Sequence, residues 1–148
     1  MKMMKTLLAG AAMMFAVTTA TSAMAQESSY KPGTVWEAGR IDVLPGQFEN
    51  YMDWLATSWK KIQELGKAEG IIVDYHILAT NSARAGEPDL ILLVEYKDYL
   101  TTAQQEAFNK KVNAMMSQDR RMANTAGAER GKMREPIGST EYQELILK

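Results

Sequence analysis

The chain has no cysteine and only one histidine, His76, among its 148 residues. The missing cysteine excludes disulfides, thiolate metal sites, a cysteine nucleophile and a lipidated N-terminal cysteine. The single histidine means that any imidazole-based acid/base step must use His76. There is no excess of positive charge, with 17 Lys and Arg against 18 Asp and Glu. Nucleic acid is therefore not an expected partner, since its phosphates call for a basic patch. The sequence also lacks a glycine-rich phosphate loop, a serine nucleophile motif and any run of metal-ligand spacing. No metal and no cofactor are expected.

Only one stretch is long and apolar, and it comes first. Lys2 and Lys5 supply a positive start, Leu7 to Val17 an apolar run, and Ala23-Met24-Ala25 a small-x-small cleavage motif. The run is shorter than the roughly 20 apolar residues that span a bilayer, so it reads as a secretory signal and not as an anchor. Residues 1–25 are expected to be removed, leaving 26–148 as one periplasmic domain with no membrane anchor. Those 123 residues carry 15 basic and 18 acidic side chains. They suffice for a core held by packing alone.

Beyond a polar lead-in, Thr34 to Leu44 reads as a strand stopped by Pro45-Gly46. From Gln47 to Glu69, Phe48, Met52, Leu55, Trp59, Ile62 and Leu65 recur at the three-to-four spacing of one buried helical stripe. Ile71 to Thr80 and Leu90 to Lys97 read as strands, and the turn-forming segment between them makes a hairpin. Thr101 or Thr102 caps a second helix, answered by Gln105 or Glu106. Its stripe is Phe108, Val112, Met115, Met122 and Ala126, with Asp119 breaking the row. Gly127, Gly131, Pro136 and Gly138 mark an irregular return, and Thr140 to Leu147 is a last strand.

The order β-α-β-β-α-β predicts a ferredoxin-like α+β sandwich: a four-stranded antiparallel sheet with two helices on one face. Strand alternation divides the side chains between the faces. Ile41, Val43, Ile71, Val73, Tyr75, Ile77, Ala79, Leu90, Leu92, Val94, Tyr96, Leu145 and Leu147 are assigned to the helices. The other face receives Trp36, Ala38, Arg40 and Asp42; Ile72, Asp74, His76 and Leu78; Ile91, Leu93, Glu95 and Lys97; and Tyr142, Glu144 and Ile146. That face is too apolar for water and too charged for a plain core, which marks it as an interface or a binding groove.

Three features, IDVLPGQFENYMDWL, the hairpin strand DLILLVEYKDY and the strand that ends at Lys148, resemble the dimeric α+β-barrel families. The resemblance implies two ferredoxin-like protomers that pack their sheets into a barrel and enclose a small-molecule cavity. Such families include cofactor-independent monooxygenases, haem-degrading enzymes, isomerases and domains without a known activity. Haem-degrading members use an axial histidine on a helix, whereas His76 falls on a predicted strand, so haem is not implied here.

His76, Asp74 and Arg40 are the candidate catalytic set: base, orienter and stabiliser of an anionic intermediate. Trp36, Glu95, Tyr142 and Glu144 share their face and are the candidate ligand-binding residues. The competing reading is a polar network that satisfies itself at a subunit interface. Trp54 and Trp36 have the shape to stack on a flat ligand or simply to pack. Arg120, Arg121, Arg130, Lys132 and Arg134 gather positive charge late in the chain, interrupted by Asp119, Glu129 and Glu135. This suits an anionic ligand, a membrane surface or, most simply, a solvated helix end favoured by the helix dipole. Three functions follow: a homodimer binding a small apolar or aromatic molecule between sheet and helices, an enzyme of monooxygenase or isomerase type using His76, or a structural or partner-binding domain. N-terminal sequencing of the exported pool should find chains that begin at Gln26; an intact Met1 there would contradict the signal assignment.

Overall fold

The computed structural model describes residues 27–148, so the signal assignment to residues 1–25 lies outside the described part. Four strands, β1 (Tyr30–Val43), β2 (Ile72–Ala79), β3 (Leu90–Tyr96) and β4 (Arg134–Leu147), form one open sheet in the order β2-β3-β1-β4. Each neighbouring pair is antiparallel. Three helical rods complete the domain. The first runs from α1 (Phe48–Trp54) through a π-helical stretch, Leu55–Trp59, into α2 (Lys60–Ala68). The others are α3 (Thr102–Met115) and α4 (Arg120–Arg130). The fold is α+β and compatible with a ferredoxin-like arrangement.

The core lies between the first rod and β1, β2 and β3. Tyr51, Leu55 and Trp59 pack against Ile41, Ile72, Leu90 and Val94. The buried positions of the rod are Tyr51, Leu55, Trp59, Gln63 and Gly66. A four-residue spacing drifts around an ordinary α-helix, and the wider π turn between Leu55 and Trp59 absorbs that drift. The expected stripe is therefore right at Leu55 and Trp59 and wrong at Phe48, which is 46% exposed while Tyr51 is fully covered. Gly66 lets α2 approach β2 closely: a Cβ there would stand 2.8 Å from Ile72 Cγ1.

The strand phases need one correction, and a β-bulge explains it. Between Ile72 and Asp74 the β2–β3 register slips by one residue. A bulge adds a residue and switches the faces on one side of it. Ile72 thus points to the helices and is buried, while Val73 is exposed. Beyond the bulge the expected alternation holds: Tyr75 and Ile77 face the helices, and Asp74, His76 and Leu78 the open side.

Further differences sit at the periphery. β4 begins at Arg134 and runs through Pro136 and Gly138, where an irregular return is expected from the sequence. An edge strand tolerates proline, and the register shift opposite Arg40 and Ile41 accommodates Gly138, whose φ is +151°. Leu145 and Leu147 are assigned to the helices by alternation, yet both are exposed. They pair with Pro32 and Tyr30, beyond Val35, where β3 ends its pairing with β1. The second helix is two helices. Ser117 takes a left-handed conformation and Asp119 caps α4 by accepting from the Met122 amide at 2.8 Å. Phe108 is the one buried residue of α3, and α4 has none. Thr101 caps α3 in a capping box answered by Gln104.

Leu55→Ala should destabilise the protein by about 2–5 kcal/mol, the usual cost of emptying a buried leucine site. Phe48→Ala should change stability by only about 0.5 kcal/mol, as at other surface positions. Gly66→Ala should destabilise by about 1–3 kcal/mol despite alanine's better helix propensity, because the added methyl meets Ile72. Equilibrium unfolding in urea separates these cases; equal midpoints for Leu55→Ala and Phe48→Ala would overturn the packing described.

Candidate functional site

Cross-strand register assembles the sheet's open face row by row. Tyr142, Trp36, Glu95 and Asp74 stand beside one another across β4, β1, β3 and β2. The next row holds Thr140, Ala38, Leu93 and His76, and the one after it Gly138, Arg40, Ile91 and Leu78. Six of the seven candidate residues, Trp36, Arg40, Asp74, His76, Glu95 and Tyr142, are thus brought to one surface. The seventh, Glu144, accepts hydrogen bonds from the Thr34 amide at 3.3 Å and the Thr34 hydroxyl at 3.1 Å, farther along β1.

Within the surface, the centre is an aromatic–imidazole stack. The rings of Trp36 and His76 lie nearly parallel, 11° apart, with centroids separated by 6.4 Å. Asp74 Oδ2 stands 3.8 Å from His76 Nε2, an ion-pair separation that is too long for a hydrogen bond. Both side chains are about half exposed. Asp74 has firmer partners. Its Oδ1 accepts from the Tyr75 amide at 2.9 Å and from Lys67 Nζ at 3.2 Å. Because β2 is an edge strand, the carboxylate reaches Lys67 around the margin of the sheet. The Tyr75 amide is the main cause, and Lys67 the next, of an Asp74 pKa below the usual aspartate value.

Arg40 does not join this pair. Its guanidinium donates to the Gly86 carbonyl in the β2–β3 loop at 3.0 Å. The expected His76–Asp74–Arg40 set is therefore a pair on one row boundary plus an arginine tied elsewhere. Among the described residues no group of acidic and histidine side chains has the geometry to hold a metal.

The helix side of the sheet carries polar groups that sequence reasoning missed. Tyr96 Oη donates to Glu37 Oε2 at 3.2 Å, and Ser139 Oγ to Glu37 Oε1 at 2.9 Å. Burial, followed by the Glu37 carboxylate, pushes the Tyr96 phenol well above its ordinary pKa. A cavity of about 150 Å³ lies there, lined by Val35, Glu37, Tyr96, Tyr99, Gln105 and Glu141 among others. It is acidic and smaller than the roughly 300–1,000 Å³ usual for organic ligands. Alternation would have placed Glu37 with Val35 and Ile41, but an isolated acid among apolar residues gave no reason to single it out. Tyr51 was likewise hidden beside the expected stripe. It stacks on Trp54 with centroids 5.8 Å apart and planes 6° apart.

No protein-family model matches this sequence, and no curated protein matches it. Among solved structures it is similar to protein SO0527 from Shewanella oneidensis, known from a crystal structure. The two are 13% identical, the match covers 79% of this chain and 98% of that one, and the TM-score is 0.49.

The Asp74 contacts fix a pH dependence. A carboxyl whose pKa is lowered by folding contributes stability above its unfolded pKa and loses it as pH falls through the folded value. Lys67→Ala should move the Asp74 pKa up toward the ordinary value without reaching it, since the Tyr75 amide remains. Carboxyl-carbon NMR titration checks this; an unmoved Asp74 would show that Lys67 is not a true partner.

Proposed function

We propose that the chain acts as an exported homodimer of the dimeric α+β-barrel kind, binding a small apolar or aromatic molecule at its open sheet face. The observation that carries this reading is the composition of that face. Trp36, Ala38, Leu78, Ile91 and Leu93 form an apolar floor, with Leu78 47% exposed and Tyr142 55% exposed at its margins. Patches of this kind on soluble domains mark interfaces or ligand grooves. The β-α-β-β-α-β order is the finer form of the fold that this reading adopts, with α3 and α4 together standing in the place of the second helix.

A two-fold sheet-on-sheet contact suits the charges at the margin. Arg40 lies at one end of the face and Asp74 and Glu95 toward the other. A two-fold axis running across the strands would set Arg40 of one protomer opposite Asp74 and Glu95 of the other, so opposite charges meet. The ligand then lies against Trp36, with its polar end toward His76, Asp74 and Tyr142. The sheet–helix space suits it less well, being small and lined by Glu37 and Glu141.

A second reading, turnover, rests on the 3.8 Å approach of Asp74 to His76, the only imidazole. In that reading His76 takes a proton from the bound molecule while Asp74 stabilises the resulting cation.

Sedimentation should show a dimer at micromolar concentration, and Leu93→Glu should convert it to a folded monomer. Native mass spectrometry of the wild type should retain a small molecule that Trp36→Ala loses. His76→Gln that keeps the ligand but stops its conversion assigns an enzyme; unchanged behaviour assigns a binding protein. A wild-type monomer would remove the sheet face as the interface.

A further inference from the structure

Arg130 and Arg134 flank the stacked Tyr51–Trp54 pair, where α4 ends and β4 begins. The Arg130 guanidinium lies 4.9 Å from the centre of the Trp54 ring, and that of Arg134 5.8 Å from the centre of Tyr51. Among the described residues, three buried side-chain polar atoms have no hydrogen-bond partner: Tyr51 Oη, Arg130 Nε and Arg134 Nε. All three belong to this one cluster. Buried polar groups are nearly always satisfied, so three unpaired donors at one place form a donor set that a single acceptor can bridge.

The charges agree. Among the described residues, neither guanidinium has a carboxylate within ion-pair distance. Lys132, between them in sequence, is held instead by Glu129 at 2.7 Å. Burial, with Arg134 second, lowers the Arg130 pKa, while Tyr51 acts in the opposite sense. Burial raises the Tyr51 pKa, and Arg134 and Arg130 oppose that rise. The hydroxyl thus lies in the field of both cations. Cation–π attraction accounts for two arginines over two rings, but it leaves the Tyr51 hydroxyl unpaired.

We propose that Tyr51, Arg130 and Arg134 form a binding site for a small oxyanion, a carboxylate or a phosphate. The rings cover the guanidinium faces and leave their N–H edges to bond the anion, the geometry in which arginine holds such groups best. Both arginines are half-buried, so their outer ends meet solvent while Tyr51, fully covered, forms the floor. This site is separate from the sheet face and does not depend on dimerisation.

The test is titration of the purified protein with sodium phosphate and with sodium acetate at constant ionic strength, against sodium chloride. Melting temperature and tryptophan fluorescence are the readouts, the latter because Arg130 covers Trp54. At least one of the two oxyanions should give a saturable stabilisation that chloride does not, and which of them acts identifies the anion class. Arg130→Gln and Arg134→Gln should each weaken binding about tenfold or more, in keeping with the loss of a charge-assisted pair. Tyr51→Phe, which keeps the ring, should weaken it less. Arg134→Lys, which keeps the charge and loses the fork, provides a folded alternative if a neutral variant fails to fold. The response should persist in the Leu93→Glu monomer, which separates this site from the proposed interface. Equal shifts with chloride, or a wild-type response in Tyr51→Phe and Arg134→Lys together, would overturn the proposal and leave the arginines as packing groups.

Discussion

Everything in this domain depends on one contact, the seating of Tyr51, Leu55 and Trp59 against Ile41, Leu90 and Val94. It is the main apolar junction between helix and sheet, and it covers only part of one sheet face. β4 contributes no buried residue, α4 none, and α3 only Phe108. Apolar burial is the dominant favourable term in folding. Stability is therefore concentrated in the first helical rod and the three strands beneath it. The rest is attached by hydrogen bonds, as in the long pairing of β1 with β4, or by local anchors such as the Leu44 amide donating to the Met133 carbonyl at 2.9 Å.

One-sided burial explains why the remaining surfaces are chemically unusual. A four-stranded sheet with one face packed must present the other, and here that face carries tryptophan, leucine and isoleucine beside histidine and carboxylates. The Trp36–His76 stack gives the surface order without enclosing it. Asp74 is already engaged by an amide and a lysine, so it is a weaker orienter for His76 than its position in sequence suggests. The proposed catalytic reading of His76 thus needs something that excludes water from a half-exposed pair, which the second sheet of the proposed dimer would supply.

How much of this was legible in the sequence varies with the physics involved. Period-two alternation placed Asp74, His76, Trp36 and Leu93 on one face because strands without bulges keep their phase over several residues. It misplaced Ile72 and Val73 because a bulge has no strong residue signature in the stretch IIVDY. The helix existed where expected, but its phase depended on a π turn that the apolar spacing did not announce. Exposed Leu145 and Leu147 read as core since alternation sees faces and not the length of the neighbouring strand. The arginines were visible as a basic run. What the sequence could not supply was their convergence on Tyr51, 79 and 83 positions away.

That convergence also bears on how α4 is held. A helix with no buried residue contributes little through the hydrophobic effect, and its C-terminal turn is tied down by Arg130 over Trp54 and by the Gly131–Met133 turn that follows. Two neighbouring cations oppose that docking, and an anion between them reverses the sign of the interaction. Ligand binding confined to the folded form stabilises it by mass action. Occupancy of the arginine site then acts on the least buried helix, at the point where the chain enters β4. In the readings proposed above, the sheet face and the arginine cluster answer to different partners, one to a second copy of the chain and the other to a dissolved anion. They remain connected through β1, which presents Trp36 and Arg40 to the open side and pairs with Arg134 at its far end.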